Sequence, residues 1–116
     1  MQLRDDQWQK LKPMLVGRYT AWGINSRNCR QFINAMIFVV ETKAKWVQLP
    51  AEFGHWRTVH MRFRRWNTIG QWEKMAEAVN GDEDLMNIFL QIAVFANSYT
   101  ENMEQKQDRR EELRKL

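Results

Sequence analysis

A chain of 116 residues with 44 % hydrophobic content and six tryptophans can fill one small core but leaves no room for a second, catalytic domain beside it. Its single cysteine, Cys29, excludes an internal disulfide, and no charged, apolar and cleavage regions follow one another at the N-terminus, so a reducing cytoplasm is the expected location. The net charge of +4 is regional: residues 1 to 80 carry 13 Lys and Arg against 6 Asp and Glu, a net of +7, and residues 81 to 116 carry 5 against 8, a net of −3. A basic excess confined to one region points to a polyanionic partner, nucleic acid first, with a plain solubility charge as the alternative.

The apolar period is helical almost throughout. Trp8, Leu11 and Leu15 recur at helical spacing behind Asp5 and Asp6, either of which can cap a first helix ending near Leu15. Gly17 to Ser26, with Gly23 and Asn25, reads as a loop. A second helix, starting around Ser26 to Asn28 and stopping near Thr42, puts Phe32, Ala35, Met36, Val39 and Val40 on one face. The segment "KAKWVQLP" has no helical period and ends in Pro50, which suits the first turn of a short third helix, Pro50 to Phe53, closed by Gly54. A fourth helix follows "GHW" and runs to about Asn67, and Gly70 opens a fifth carrying Trp72, Met75, Ala76 and Val79. Asn80-Gly81 stops it, and Asp82 or Asp84 can cap a last helix with Leu85, Ile88, Phe89, Ile92, Phe95, Ala96, Tyr99 and Met103 on its apolar side. That helix is expected to fade into the charged tail "EQKQDRREELRKL". Its most apolar part, Leu85 to Ala96, falls short of the roughly 18 to 20 residues that a membrane helix needs.

The stretch "GHWRTVHMRFRRW" carries the charge that matters. At about 100° per residue, Trp56, Phe63 and Trp66 fall within about 60° of Val59, whereas Arg57, Met61, Arg64 and Arg65 gather on the opposite side with His60 at the border. A short helix, a tight turn at Gly54 and a helix with an apolar inner and a cationic outer face is the order of a helix-turn-helix reader of the major groove. The plain alternative is a solvated basic face.

Taken together, "LRDDQWQKLKPML", "NCRQFINAMIFVVET" and "WVQLPAEFGHWRTVHMRFRRWNTIGQWEKM" resemble the N-terminal domain of insertion-sequence-five-type bacterial transposases. The matching positions are Asp5, Gln7 and Trp8; Arg30 and Thr42; Trp46, Leu49 and Pro50; Phe53, Gly54 and Trp56; Thr58, Val59, Arg62, Phe63, Arg65 and Trp66; and Gly70 and Trp72. The resemblance covers about residues 1 to 80. It implies an all-α domain with a helix-turn-helix-like core that recognises DNA ends. It does not imply transposition, because that family's ribonuclease-H-like catalytic domain comes afterwards. Extending the alignment puts Asp82, Asp84 and Leu85 on the family's Asp-x-Asp-Leu and Gln91 on its first catalytic aspartate, and a neutral amide is a poor ligand for a hard divalent cation. Thr42-Lys43-Ala44-Lys45 also departs from the family's Thr-Gly-Ala-Pro.

Other chemistry finds no support in the residues present. His55 and His60 lie about 140° apart on a helix with no second cysteine or carboxylate cluster to complete a metal site. Cys29 reads as a buried or half-buried spacer rather than a nucleophile. Trp8, Trp56, Trp66 and Trp72 keep core spacing, and Trp22, in the loop, covers the core or faces a partner.

These readings converge on an all-α protein that binds double-stranded DNA sequence-specifically: a transposase-derived regulator of transcription, not an enzyme, working in the cytoplasm at the nucleoid. Residues 1–81 form the DNA-binding domain, 82–104 a C-terminal helix and 105–116 a charged tail. Arg57, Met61, Arg64 and Arg65 are expected to face the major groove with His60 at its edge. Arg62, Lys43, Lys45, Arg27 and Arg30 are candidate phosphate contacts, with internal pairing as the alternative for Arg62 and Arg30. Leu85, Ile88, Phe89, Ile92, Phe95 and Tyr99 form a stripe suited to a homodimer, unless the helix folds back on its own domain. No cofactor, metal, membrane or small-molecule ligand is expected. The competing function is an interaction module that pairs with a full-length transposase, or another protein, and inhibits it.

Overall fold

The structure is a computed structural model that describes residues 1–15, 26–79 and 81–116, with side chains from 1–13, 29–79 and 81–116. Trp22 and the loop residues 17–25 lie outside the described residues, as does the side chain of Arg27. Helix α1 spans Asp5–Leu11 and gives way to a 3-10 turn at Lys12–Leu15. The reason is Pro13, which has no N–H to donate and whose ring crowds the carbonyl four residues earlier. Neither expected aspartate caps α1. The cap is Arg4, whose backbone N–H is met by the Gln7 side-chain oxygen at 3.0 Å, while Asp5 pairs with Arg30 at 2.8 Å and Asp6 with Arg4 at 3.1 Å.

Helix α2, Ser26–Thr42, has the expected bounds but a wider buried surface than one stripe. Ile33 and Ile37 are as completely enclosed as Ala35 and Met36. A helix with neighbours on several sides buries more than a single face. Its C-terminal end is strained: Lys43 holds φ 55°, the left-handed conformation that glycine enters at little cost. Lys43→Gly is therefore expected to stabilise the fold by about 0.5 to 1 kcal/mol, read as a rise in the thermal midpoint. A lowered midpoint would mean that the lysine side chain contributes more than the backbone strain costs.

The segment after α2 is not structureless. Trp46–Gln48 forms a 3-10 turn, and the short third helix expected over Pro50–Phe53 is a single 3-10 turn at Ala51–Phe53. The Gln31 side chain donates to the Glu52 carbonyl and ties that turn to α2. Gly54 then takes φ 95° and ψ −179°, a conformation essentially reserved for glycine, and sends the chain into α3, Trp56–Thr68. Gly70, at φ 67°, turns it again into α4, Gln71–Ala78.

Helix α5 runs from Glu83 to Arg114. Of the two expected candidates Asp82 caps it, accepting from the Leu85 N–H at 3.1 Å, and its other oxygen accepts from the fully buried Gln7 amide at 3.3 Å. The capping bond is the largest cause holding the Asp82 carboxyl below the usual carboxylate range. The apolar half of α5 packs on α4, α2 and α3. The core is aromatic at its centre: Trp66 lies 5.0 Å from Phe32 and 4.8 Å from Trp72, which in turn lies 6.3 Å from Phe89.

The expected fading of the last helix near Met103 is corrected by the structure. The charged tail stays helical to Arg114 while residues 101–116 are all exposed, and the molecule measures 56 Å along its longest axis. Glu, Gln, Lys, Arg, Met and Leu, which dominate the tail, are all strong helix formers, and α5's packed half supplies the nucleus that an isolated helix lacks.

Candidate nucleic-acid interface

Helix α3 is held from both flanks. His55 caps it, with Nδ1 accepting from the Arg57 N–H at 3.2 Å. Val59, Phe63 and Trp66 are buried, as their spacing predicts. Phe63 sits among Trp46, Phe95 and Tyr99, with ring centres 5.2, 5.4 and 5.7 Å away. Asn67 clasps α5 directly, donating to the Ala96 carbonyl at 3.2 Å and to the Thr100 hydroxyl at 2.6 Å. An α3 fixed in this way presents its outer face as a rigid surface.

That outer face carries Arg57, Met61, Arg64 and Arg65, all exposed, Met61 to 56 %. The Arg57 guanidinium lies 5.4 Å from the Trp56 ring, which leaves its N–H edge available for another acceptor. The remaining candidates separate from this group. His60 is half-buried, shares a hydrogen bond of 2.7 Å with the Tyr99 hydroxyl and meets the Trp46 ring edge-on at 4.8 Å. It belongs to the joint between α3 and α5. Arg62 is half-buried with its guanidinium 5.3 Å from the Phe32 ring, and burial lowers its pKa. Arg30 is spent on Asp5 and on the Leu3 carbonyl, at 2.8 and 2.9 Å. These three make contacts inside the domain, since a helical period says which way a side chain points but not what waits there.

Lys43 and Lys45 are exposed, and they lie in the segment between α2 and α3 rather than on the arginine face of α3. Lys43 stands instead at the rim of a groove between α2 and α5, lined by Val39, Val40, Leu90, Val94 and Phe95. The stripe expected to pair with a second copy is also accounted for within the chain: Leu85, Ile88, Phe89 and Ile92 are buried in the core, and Phe95 and Tyr99 pack on Phe63. The helix folds back on its own domain. What α5 leaves exposed is Leu90, at 46 %, and Val94, at 66 %, in the groove.

Cys29 is buried, and burial pushes its thiol up to about 11, so it stays protonated near neutral pH. Among the described residues no cluster of three or more His, Cys, Asp or Glu could hold a metal ion. No helix among them is long and apolar enough to cross a membrane.

Residues 3–76 match the family described as "Putative transposase of IS4/5 family". The chain belongs to that family. The matched part of this IS4/5-family chain takes in α1, α2, α3 and most of α4, so the basic helix lies inside it and α5 outside. An uncharacterized protein of Sinorhizobium fredii is 29 % identical over 83 residues, which cover 72 % of this chain and 66 % of that protein's length. No solved structure matches. Gln7 and Arg30 both tie the N-terminal segment to the rest of the domain, Gln7 through Asp82 and Arg30 through the Leu3 carbonyl.

The His60 joint has a pH signature. Burial holds its imidazole below the ordinary histidine range, and the Arg64 guanidinium adds to the effect. The folded state therefore prefers neutral His60, while the unfolded chain takes up a proton near pH 6.5. The contribution is complete above that pH and is lost as pH falls through the lower, folded value. The thermal midpoint is expected to drop between pH 7 and pH 5, and His60→Gln should shrink that drop. An equal drop in both proteins would move the titration elsewhere.

Proposed function

We propose that this chain binds double-stranded DNA sequence-specifically and acts as a transposase-derived regulator of transcription in the cytoplasm, at the nucleoid, without carrying out transposition itself. The observation that carries the reading is the outer face of α3, where three arginines and Met61 stand exposed on a helix locked by its aromatic inner face. Arginine suits this task because its planar fork bonds bidentately to guanine edges and to phosphates. In this reading Arg57, Met61, Arg64 and Arg65 enter the major groove, and Lys45 and Lys43 contact phosphate at the periphery. His60 and Arg62 position α3 rather than touch DNA.

The test is selection of the purified protein against a random pool of duplex DNA at near-physiological salt, followed by sequencing of the bound fraction. Enrichment of a defined motif supports the reading, and an inverted repeat supports a homodimer with two reading helices. Absence of enrichment from a folded protein overturns sequence-specific binding.

A second reading, the interaction module that pairs with a full-length transposase or another protein, is favoured by one observation, the apolar groove between α2 and α5 with Leu90 and Val94 exposed in it. A homodimer would use the same groove, since the expected stripe is occupied. Val94→Asp should abolish pairing under either reading, and Arg64→Glu separates them: it should abolish function in a DNA-binding regulator and leave an interaction module active.

A further inference from the structure

The projecting half of α5 carries five Lys and Arg and five Asp and Glu between Glu101 and Leu116, a net charge of zero. That zero conceals a separation. At about 100° per residue, Lys106, Arg109, Arg110 and Arg114 fall within a sector of about 140°, and Glu101, Glu104, Asp108, Glu111 and Glu112 within about 100° on the opposite side, where Lys115 also falls. The cationic sector is centred on the line that continues Tyr99 and Met103, and Tyr99 is the residue that packs on α3. The cations therefore point to the side on which α3 lies. A cleft of about 450 Å³ opens there, lined by Arg64 of α3 and, from α5, by Met103, Lys106, Arg110 and Arg114 together with Glu104 and Glu111.

This pattern is a poor way to stabilise a lone helix. Charges four residues apart are neighbours on a helix surface, and opposite signs there are favourable while like signs are unfavourable. Four residues apart, Lys106–Arg110, Arg110–Arg114, Glu104–Asp108 and Asp108–Glu112 are like-charged and Glu111–Lys115 is opposite. Three apart, Glu101–Glu104, Lys106–Arg109 and Asp108–Glu111 are like-charged and Arg109–Glu112, Glu111–Arg114 and Glu112–Lys115 are opposite, so like pairs outnumber opposite ones. Among the described residues no salt bridge forms along the projecting half. A row of cations that repel one another along the helix is relieved by an external row of anions. From Lys106 to Arg114 the row spans about 12 Å at the helical rise, comparable to three or four phosphates along one strand of duplex DNA.

We infer that the projecting half of α5 is a second DNA-contacting arm: Lys106, Arg110 and Arg114 bind the phosphates of one strand and, with Arg64 across the cleft, grip the duplex that α3 reads. The arm lies outside residues 3–76, so it is an addition to the family part of the chain. The inference rests on the DNA-binding reading of α3 and adds affinity and orientation to it, not base selection, because phosphate contacts carry no sequence information.

The test uses the full chain and a 20-base-pair duplex of arbitrary sequence, with affinity measured across a salt series. Lys106→Gln with Arg110→Gln and Arg114→Gln keeps helix propensity and removes three charges from positions that touch no core residue. Affinity near physiological salt should fall about a hundredfold, and the slope of log affinity against log salt should become shallower by about 2 to 3. If this triple variant binds like the parent while Arg57→Gln with Arg65→Gln is weakened, the arm is not on the DNA and the inference is overturned with the α3 reading intact. If the parent binds neither this duplex, even at low salt, nor any sequence in a random duplex pool, the reading of α3 fails and the arm fails with it. If the triple variant changes the self-association of the protein and not its DNA affinity, the cationic row pairs with the acidic face of a second copy, and the inference is again overturned.

Discussion

Replacing Arg57 and Arg65 together by glutamate is expected to weaken duplex binding at least a hundredfold while the thermal midpoint moves by only a few degrees. Both side chains are exposed and neither forms an ion pair among the described residues, so the fold loses little more than the contact between Arg57 and the Trp56 ring. That contact contributes about 0.5 to 1 kcal/mol at an exposed site. The interface loses far more, because each bidentate contact to a guanine edge is worth about 1 to 3 kcal/mol and each lost phosphate contact flattens the salt dependence by about 0.9. The reversed charges then repel the backbone as well. The single change Arg65→Ala divides the two roles: relaxed preference at one base pair assigns Arg65 to a guanine edge, and uniform weakening on all sequences assigns it to phosphate. Retention of full affinity by the double variant would show that the outer face of α3 is merely solvated.

Phe63→Ala is expected to cost about 3 to 5 kcal/mol, enough to leave a domain of this size largely unfolded or close to it. Phe63 is buried at the point where three parts of the chain meet, since Trp46 comes from the segment before α3 while Phe95 and Tyr99 come from α5. The cavity left by alanine cannot close without moving α3 relative to α5. Urea denaturation checks this as a lower midpoint at nearly unchanged slope. A loss below about 1 kcal/mol would mean that the joint collapses freely, and the orientation of α3 would then not depend on α5. Where the variant remains partly folded, its DNA affinity should fall with stability, because α3 would be anchored on one flank only.

Much of α3 was legible in the sequence because its residues obey one strong period. Val59, Phe63 and Trp66 bury and Arg57, Met61, Arg64 and Arg65 do not, as the angles around the helix require. Gly54 was legible for a different reason, as few residues other than glycine tolerate its backbone angles. Arg62 and Arg30 were ambiguous because a cation on the flank of a helix reads alike whether solvent, an aromatic ring or a carboxylate lies beside it. The Lys106, Arg110, Arg114 row was present as a repeat of four in the text of the tail, but it could be weighed only once the tail was helical and its direction relative to α3 was set.

By itself, then, the sequence determined that the chain is helical, where α2 and α3 begin and end to within one or two residues, that Asp82 or Asp84 caps the last helix, and that the basic helix has one apolar and one cationic side. Those properties depend on local spacing, capping and turn chemistry, which neighbouring residues decide among themselves. Only the tertiary structure decided that Leu85, Ile88, Phe89 and Ile92 are used up by their own core, that His60 faces Tyr99 rather than solvent, and that α5's charged half projects beside Arg64. Burial and partnership are properties of what packs against a face, and residues such as His60 and Tyr99, 39 positions apart, carry no local signal of each other.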